Sequence, residues 1–348
     1  MKRLGKQTLE LENGCYIIGR ASLVGEKEKN GAFSKYMKEY MKDDKLGEQT
    51  FEKAERKMLD KITNGAVKNA KLKMTDIDLF LSGDLTNQLV TSNYVAESLQ
   101  VPYVGIYSAC STITASLGIA GCLLESGGFN NILCSSISHF SSAERQYRFP
   151  LEFGNQRQSY SQWTVTAGGS FVLSRTKSNV KITKICFSKV QDYGVCDIAN
   201  MGAGMAPAAA DTLCAFFKDT KTVPDDYDLI ATGDLGKLGE DILRDLMHKN
   251  HFDLKQNYTD IGHSIYLFKE ESYQGGSGAG CSTSVLATYI LDKLESGEFK
   301  KVLLVATGAL MSTTTNQQGD SIPSVAHLIE FQCEKILEEK KIKKKEKK

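Results

Sequence analysis

The sequence lacks most of the features that would announce a chemistry at first sight. Its 43 Lys and Arg stand against 42 Asp and Glu, a net charge of +1 in 348 residues. No excess of positive charge therefore supports nucleic-acid binding. The opening MKRLGKQTLELENG has no apolar secretory core, and the nine cysteines are an odd number without framework spacing. Cytoplasmic synthesis without a signal peptide, and free thiols, are the expectation. The longest apolar run near the end, VLLVATGALM at 302–311, is far too short to span a bilayer. There is no CxxC and no HxxxH, and the five histidines are scattered, so no metal site is expected. The Gly-rich GGSGAGCS (275–282) lacks the Gly-Lys-Ser/Thr ending of a phosphate loop, and no cofactor is expected.

What is present is a soluble globular composition, 41% hydrophobic and 24% charged, and an internal repeat. Residues 76–88, DIDLFLSGDLTNQ, match 226–238, DYDLIATGDLGKL, in an acidic lead-in, a short apolar strand and Gly-Asp-Leu. ACSTITASLGIAGCLLESGGFNNILC (109–134) matches GCSTSVLATYILDKLESGEFKKVLLV (280–305). From Cys110 to Glu125 is 15 residues and from Cys281 to Glu295 is 14. Each copy reads strand, helix, strand, with the crossover length a parallel pair needs. Ser126-Gly127 and Ser296-Gly297 are expected to stop the two helices. ILCSSI and VLLVAT are near-continuous apolar strands, as expected where helices cover both faces of a sheet.

The spacing predicts an α/β protein of two duplicated halves, residues 1–175 and 176–335, followed by a basic disordered tail, 336–348. In that tail, KKIKKKEKK (340–348) sets seven Lys against one Glu. The tail is a solvated segment or a weak attachment to an anionic membrane surface. Residues 141–170 read as an insertion of loops and irregular strands.

A duplicated half with a cysteine opening a small-residue helix resembles the thiolase superfamily of condensing enzymes. The stretches YSACST (107–112), SSISHFSSAERQYRFPLEFGNQ (135–156), QWTVTAGGS (162–170), NMGAGMAPAAADT (200–212), GGSGAGCS (275–282) and VATGALMS…SIPSVAHLI (305–329) are more specific. They are similar to the stage V sporulation protein AD family of spore-forming bacteria. The resemblance implies a thiolase-like duplicated fold, two mixed five-stranded sheets in αβαβα layers. It also implies binding of dipicolinic acid, alone or as its calcium chelate. Work with a membrane complex that moves this compound into the developing spore and out on germination would follow. So would peripheral attachment at the forespore or spore inner membrane, and a homodimer across an edge strand of the first half, where ILCSSI would otherwise be an exposed apolar edge.

In the superfamily's enzymes the cysteine attacks an acyl thioester, helped by the helix N-terminus and by imidazole or amide groups. Here the place of one catalytic histidine reads ATGDLGKL. Asp234 stands there, and as an anion it would repel an oxyanion. The second enzyme position reads Gly276-Ser277-Gly278. No condensing activity is therefore expected, with an acyltransferase using Cys110 and His139 as the competing reading and a structural subunit with a vestigial cavity as a third. Cys110 is a relic nucleophile lining a pocket or a small core residue. His139, just past a strand's C-terminal end, is a ligand contact or a satisfied structural histidine. Trp163 is a core ring or a stacking platform. Arg145 and Arg148 could fork onto a carboxylate. Asn200 could supply an amide donor. Ser277 and Cys281 complete the candidate ligand-binding set. If the helix starts at Cys110 and Cys281 both expose free N–H groups to one central cavity, they favour a small anion.

Overall fold

A computed structural model describes residues 1–147, 157–267 and 272–334. Its strands are Lys2–Arg3 (β1), Thr8–Val24 (β2), Leu79–Gly83 (β3), Tyr103–Gly105 (β4), Asn131–Ser138 (β5), Trp163–Thr164 (β6) and Ala167–Ser174 (β7). Then come Val180–Cys186 (β8), Leu229–Gly233 (β9), Tyr258–Asp260 (β10), Gly276–Ser277 (β11), Lys301–Ala309 (β12) and Ser324–Cys333 (β13). The order β4-β3-β5-β7-β2 in the first half matches β10-β9-β12-β13-β8 in the second. In each half the first two pairings are parallel and the last two antiparallel.

The repeat extends to single hydrogen bonds. Asp78 Oδ2 accepts from the amides of Asn130 (2.6 Å) and Asn131 (3.0 Å), at the start of β5. Asp228 Oδ2 accepts from Lys300 (2.7 Å) and Lys301 (2.9 Å), at the start of β12. Gly127 and Gly297 both have φ of +81°, where a side chain would strain, and both follow the last turn of their helices.

Three details depart from the sequence reading. The two five-stranded halves are hydrogen-bonded into one continuous sheet, because the long β2 pairs with β8 as well as with β7. A register shift between Glu10 and Cys15, with Gly14 at φ +94°, lets β2 turn from one half to the other. ILCSSI is not an edge: it lies in β5, paired with β3 and β7, and the edge of the first half is β4. Within 141–170, β7 is a regular strand, paired along its length with β2 and β5.

The core has three parts. The helix Phe51–Asn69 packs with Val90–Leu99 outside the first half, and Met201–Thr220 with Gly236–Lys249 outside the second. Between the halves lie Thr112–Glu125 and a helix from Cys281 to Ser296. The first of these is apolar or small nearly all round, as a helix buried on every side requires. A Cβ at Gly118 would come within 3.0 Å of Ile185, and one at Gly121 within 2.9 Å of Leu11. Small residues there let one helix touch both halves. The second helix carries a π-turn at Leu286–Ile290, and Arg20 Nη1 donates to the carbonyl of Ala287 at 2.6 Å.

Candidate functional site

Cys110 sits in a 3₁₀ turn, Ala109–Ser111, that leads into the central helix. Ala109 has φ +48°, a left-handed conformation that costs a non-glycine residue on the order of 1 kcal/mol. The turn holds because its polar groups are tied down. Thr112 Oγ1 donates to Ala109 O (2.7 Å) and accepts from Ser108 N (3.2 Å). Ser111 Oγ donates to Ala306 O (2.6 Å) and accepts from His327 N (3.1 Å), fastening the turn to β12 and β13 of the other half.

Cys110 opens onto a cleft of about 40 Å³, room for roughly three waters, walled by Tyr107, Met201, Ser277, Ala309 and Met311. The two thioethers are the adaptable part of this wall. Burial, and then the nearby Asp234 carboxyl, push the Cys110 thiol well above its usual range, against a smaller opposing effect of the Gly278 amide. At neutral pH this sulfur is a thiol rather than a thiolate.

The helix start at Cys281 does not offer free donors. Gly278 N donates to Asp234 Oδ1 (2.9 Å), Gly280 N to Ser138 Oγ (3.0 Å) and Cys281 N to Gly278 O (2.9 Å). Cys281 itself is wholly buried. Of the two helix starts expected to face one cavity, only the turn at Cys110 borders the cleft, and there Ser111 N is already bonded to Ser108 O. Asp234 also departs from expectation. It is fully buried, and burial first and the charge of Asp260 second raise its carboxyl well above the usual carboxylate range. Asp260 takes the anionic role: it accepts from Thr232 Oγ1, Leu235 N, Gly236 N and His263 N, and still titrates only at about 6 because it is buried. Burial thus pushes Asp234 towards its neutral form, which weakens the expectation of an anion that repels an oxyanion.

The other candidate residues scatter. Ser277 lines the cleft. His139 does not: its Nε2 lies 2.7 Å from Asp44 O, its Nδ1 accepts from Ser141 N, and its ring packs on Phe51. It is buried, which lowers its pKa, and it ties the 43–48 loop to the end of β5. Trp163 stacks on Phe140 at 4.2 Å with Lys27 Nζ 3.6 Å above its ring, away from the cleft. Asn200 precedes the Met201–Thr220 helix without a side-chain capping bond, and it is the next residue, Met201, that reaches the cleft. Arg145 pairs with Glu52 at 3.0 Å. Arg148 lies outside the described residues. Leu85, Tyr107, Ala109, Met201, Ala309 and Met311 are lining residues that the sequence reading missed. Nothing in their residue types marks them as facing a cleft. Among the described residues no group of His, Cys, Asp and Glu is arranged to hold a metal.

With this geometry in view, the comparisons decide the relationship. A model of the family described as stage V sporulation protein AD matches residues 5–332. The chain belongs to the stage V sporulation protein AD family. It is 38% identical to the family's Bacillus subtilis protein over 332 residues, 95% of this chain and 98% of that one. The thiolase-like fold is shared with enzymes. A 3-oxoacyl-acyl-carrier-protein synthase III from Aquifex aeolicus aligns with TM-score 0.58 and 15% identity over 92% of this chain and 100% of its own. An OleA from Xanthomonas campestris gives 0.60 and 11% over 93% and 100%. An acetyl-CoA acetyltransferase from Syntrophomonas wolfei gives 0.60 and 10% over 92% and 99%. At such identities the likeness shows the fold alone.

Proposed function

We propose that this sporulation-family protein binds dipicolinate, pyridine-2,6-dicarboxylate, alone or as its calcium chelate, without catalysing a reaction. It serves with a membrane complex in moving the compound into the developing spore and out at germination. The observation that carries the reading is the state of Cys110. Its thiol opens on a cleft at the junction of the halves, is held neutral by burial, and has no imidazole among the described residues lining the cleft. A condensing enzyme needs a thiolate and donors for the oxyanion. The apolar wall suits a flat ring, and Met201 and Met311 can move aside for a ligand larger than the free cleft.

The competing reading, a condensing enzyme acting through Cys110, is favoured by the fold shared with the synthases. Intact-mass measurement after incubation with a panel of acyl-coenzyme A donors separates the two. No adduct is expected, and a stoichiometric adduct that Cys110→Ala abolishes would establish catalysis instead.

Attachment to the membrane is proposed to be peripheral. No helix among the described residues is long and apolar enough to cross a bilayer. The basic 340–348 segment would add electrostatic attraction to anionic lipid, so its deletion should weaken vesicle binding at low salt. A homodimer is proposed through β4, the edge of the first half, where Val104 is 49% exposed.

A further inference from the structure

Two hydroxyls that line the cleft have no partner. Ser277 is 2% exposed and Tyr107 52%, and among the described residues neither side-chain oxygen makes a hydrogen bond. A hydroxyl as deeply buried as that of Ser277 normally has a partner, because leaving it unbonded costs on the order of 1–3 kcal/mol. The difference in exposure sets Ser277 at the floor and Tyr107 at the mouth. Backbone bonds hold both in place. β11 pairs Ser277 with Thr164 of β6, Val165 N donates to Ser277 O (2.8 Å), and Gly278 N is fixed on Asp234 Oδ1 (2.9 Å). Beside Tyr107, Ile106 N donates to Ser82 O (2.9 Å) and Ser108 N to Thr112 Oγ1 (3.2 Å).

The rest of the wall offers little to an anion. Leu85, Met201, Ala309 and Met311 are apolar or soft, and the Cys110 thiol is a weak donor. Among the described residues that line the cleft none is Lys, Arg or His. We propose that Ser277 and Tyr107 are the specificity-determining residues of the cleft, the Ser277 hydroxyl donating to one carboxylate of the ligand at the floor and the Tyr107 hydroxyl to the other at the mouth. This rests on the reading of the cleft as a dicarboxylate site. Bonds from a hydroxyl to a carboxylate are short and charge-assisted, and a hydroxyl rotates to meet its acceptor. A neutral donor also avoids the desolvation cost of a buried guanidinium or ammonium. Two donors at different depths read two acceptors, so a monocarboxylate satisfies only one. Its carboxylate takes the floor, where water competes least. Without a lining cation, affinity should also depend little on salt.

The test is calorimetry of the full-length protein with sodium dipicolinate and with sodium picolinate, the same ring bearing one carboxylate. Picolinate should bind wild type about tenfold more weakly than dipicolinate. Ser277→Ala and Tyr107→Phe each remove one oxygen and leave the wall in place, their folds checked by circular dichroism. Ser277→Ala should weaken both ligands about tenfold. Tyr107→Phe should weaken dipicolinate about tenfold and leave picolinate within about twofold of wild type. Raising salt from about 0.05 M to about 0.5 M should change wild-type affinity for dipicolinate by less than about threefold. Dipicolinate bound by either variant as tightly as by wild type, Tyr107→Phe weakening both ligands alike, or a steep fall with salt overturns the two-hydroxyl site and spares the dicarboxylate reading. No heat with dipicolinate for folded wild type overturns both.

Discussion

Asp78 and Asp228 make the same pair of hydrogen bonds, 150 residues apart in the sequence. Each carboxylate receives the two amides that open the next strand of its own half. Charge-assisted bonds of this kind are worth more than neutral ones, and partial exposure reduces them. Replacing either aspartate by alanine is expected to cost about 1–2 kcal/mol in urea unfolding. The two losses should add, because the sites are remote from each other. A double variant no less stable than a single one would mean that only one of the copied bonds matters.

Much of this architecture was legible because a duplication writes the same local physics twice. Gly-Asp-Leu after an apolar strand, and Leu-Glu-Ser-Gly closing a helix, recur at matched spacing, and β3, β9 and the two central helices stand where they imply. The site was less legible, because its character is set by distant partners. His139 is satisfied by the carbonyl of Asp44, 95 residues earlier. Asp234 is pushed towards its neutral form by what buries it, and composition alone assigns it a charge. The passage of β2 from one half to the other depends on one bulge beside Gly14, too small a signal to read from periodicity.

Glu55 gives the fold a pH dependence. Its carboxylate accepts from Ser142 Oγ (2.6 Å) and Thr91 Oγ1 (3.3 Å), but burial first and neighbouring Asp84 second raise its pKa to about 8. The folded state therefore holds a proton that the unfolded chain releases near pH 4.5. Stability from this group is complete below that value and is lost as pH rises towards 8. Glu55→Gln should raise the melting temperature more at pH 9 than at pH 5. An equal shift at both pH values would show that Glu55 is ionised in the folded protein.

His139→Ala should destabilise the protein while leaving dipicolinate affinity within about threefold of wild type. The imidazole anchors the 43–48 loop and does not line the cleft. Loss of affinity in a variant that melts normally would place the ring at the ligand after all.

The proposed dimer can be probed at its edge. Val104→Lys puts a charge on β4 without touching the core. Sedimentation velocity should show wild-type dimer at micromolar concentration and monomer for the variant. A wild type that is monomeric there would remove the dimer from the account.

The most direct measurement is calorimetric titration of the folded protein with dipicolinate. A compact ligand of about 12 heavy atoms can reach micromolar affinity, about −8 kcal/mol. Cys110→Trp, which overfills a cleft of about 40 Å³, should abolish binding with the fold intact. Cys110→Ala should bind nearly as wild type, because the proposed binding role uses the thiol as part of a wall and not as a nucleophile. No heat at millimolar dipicolinate, or equal binding by the tryptophan variant, would contradict the account.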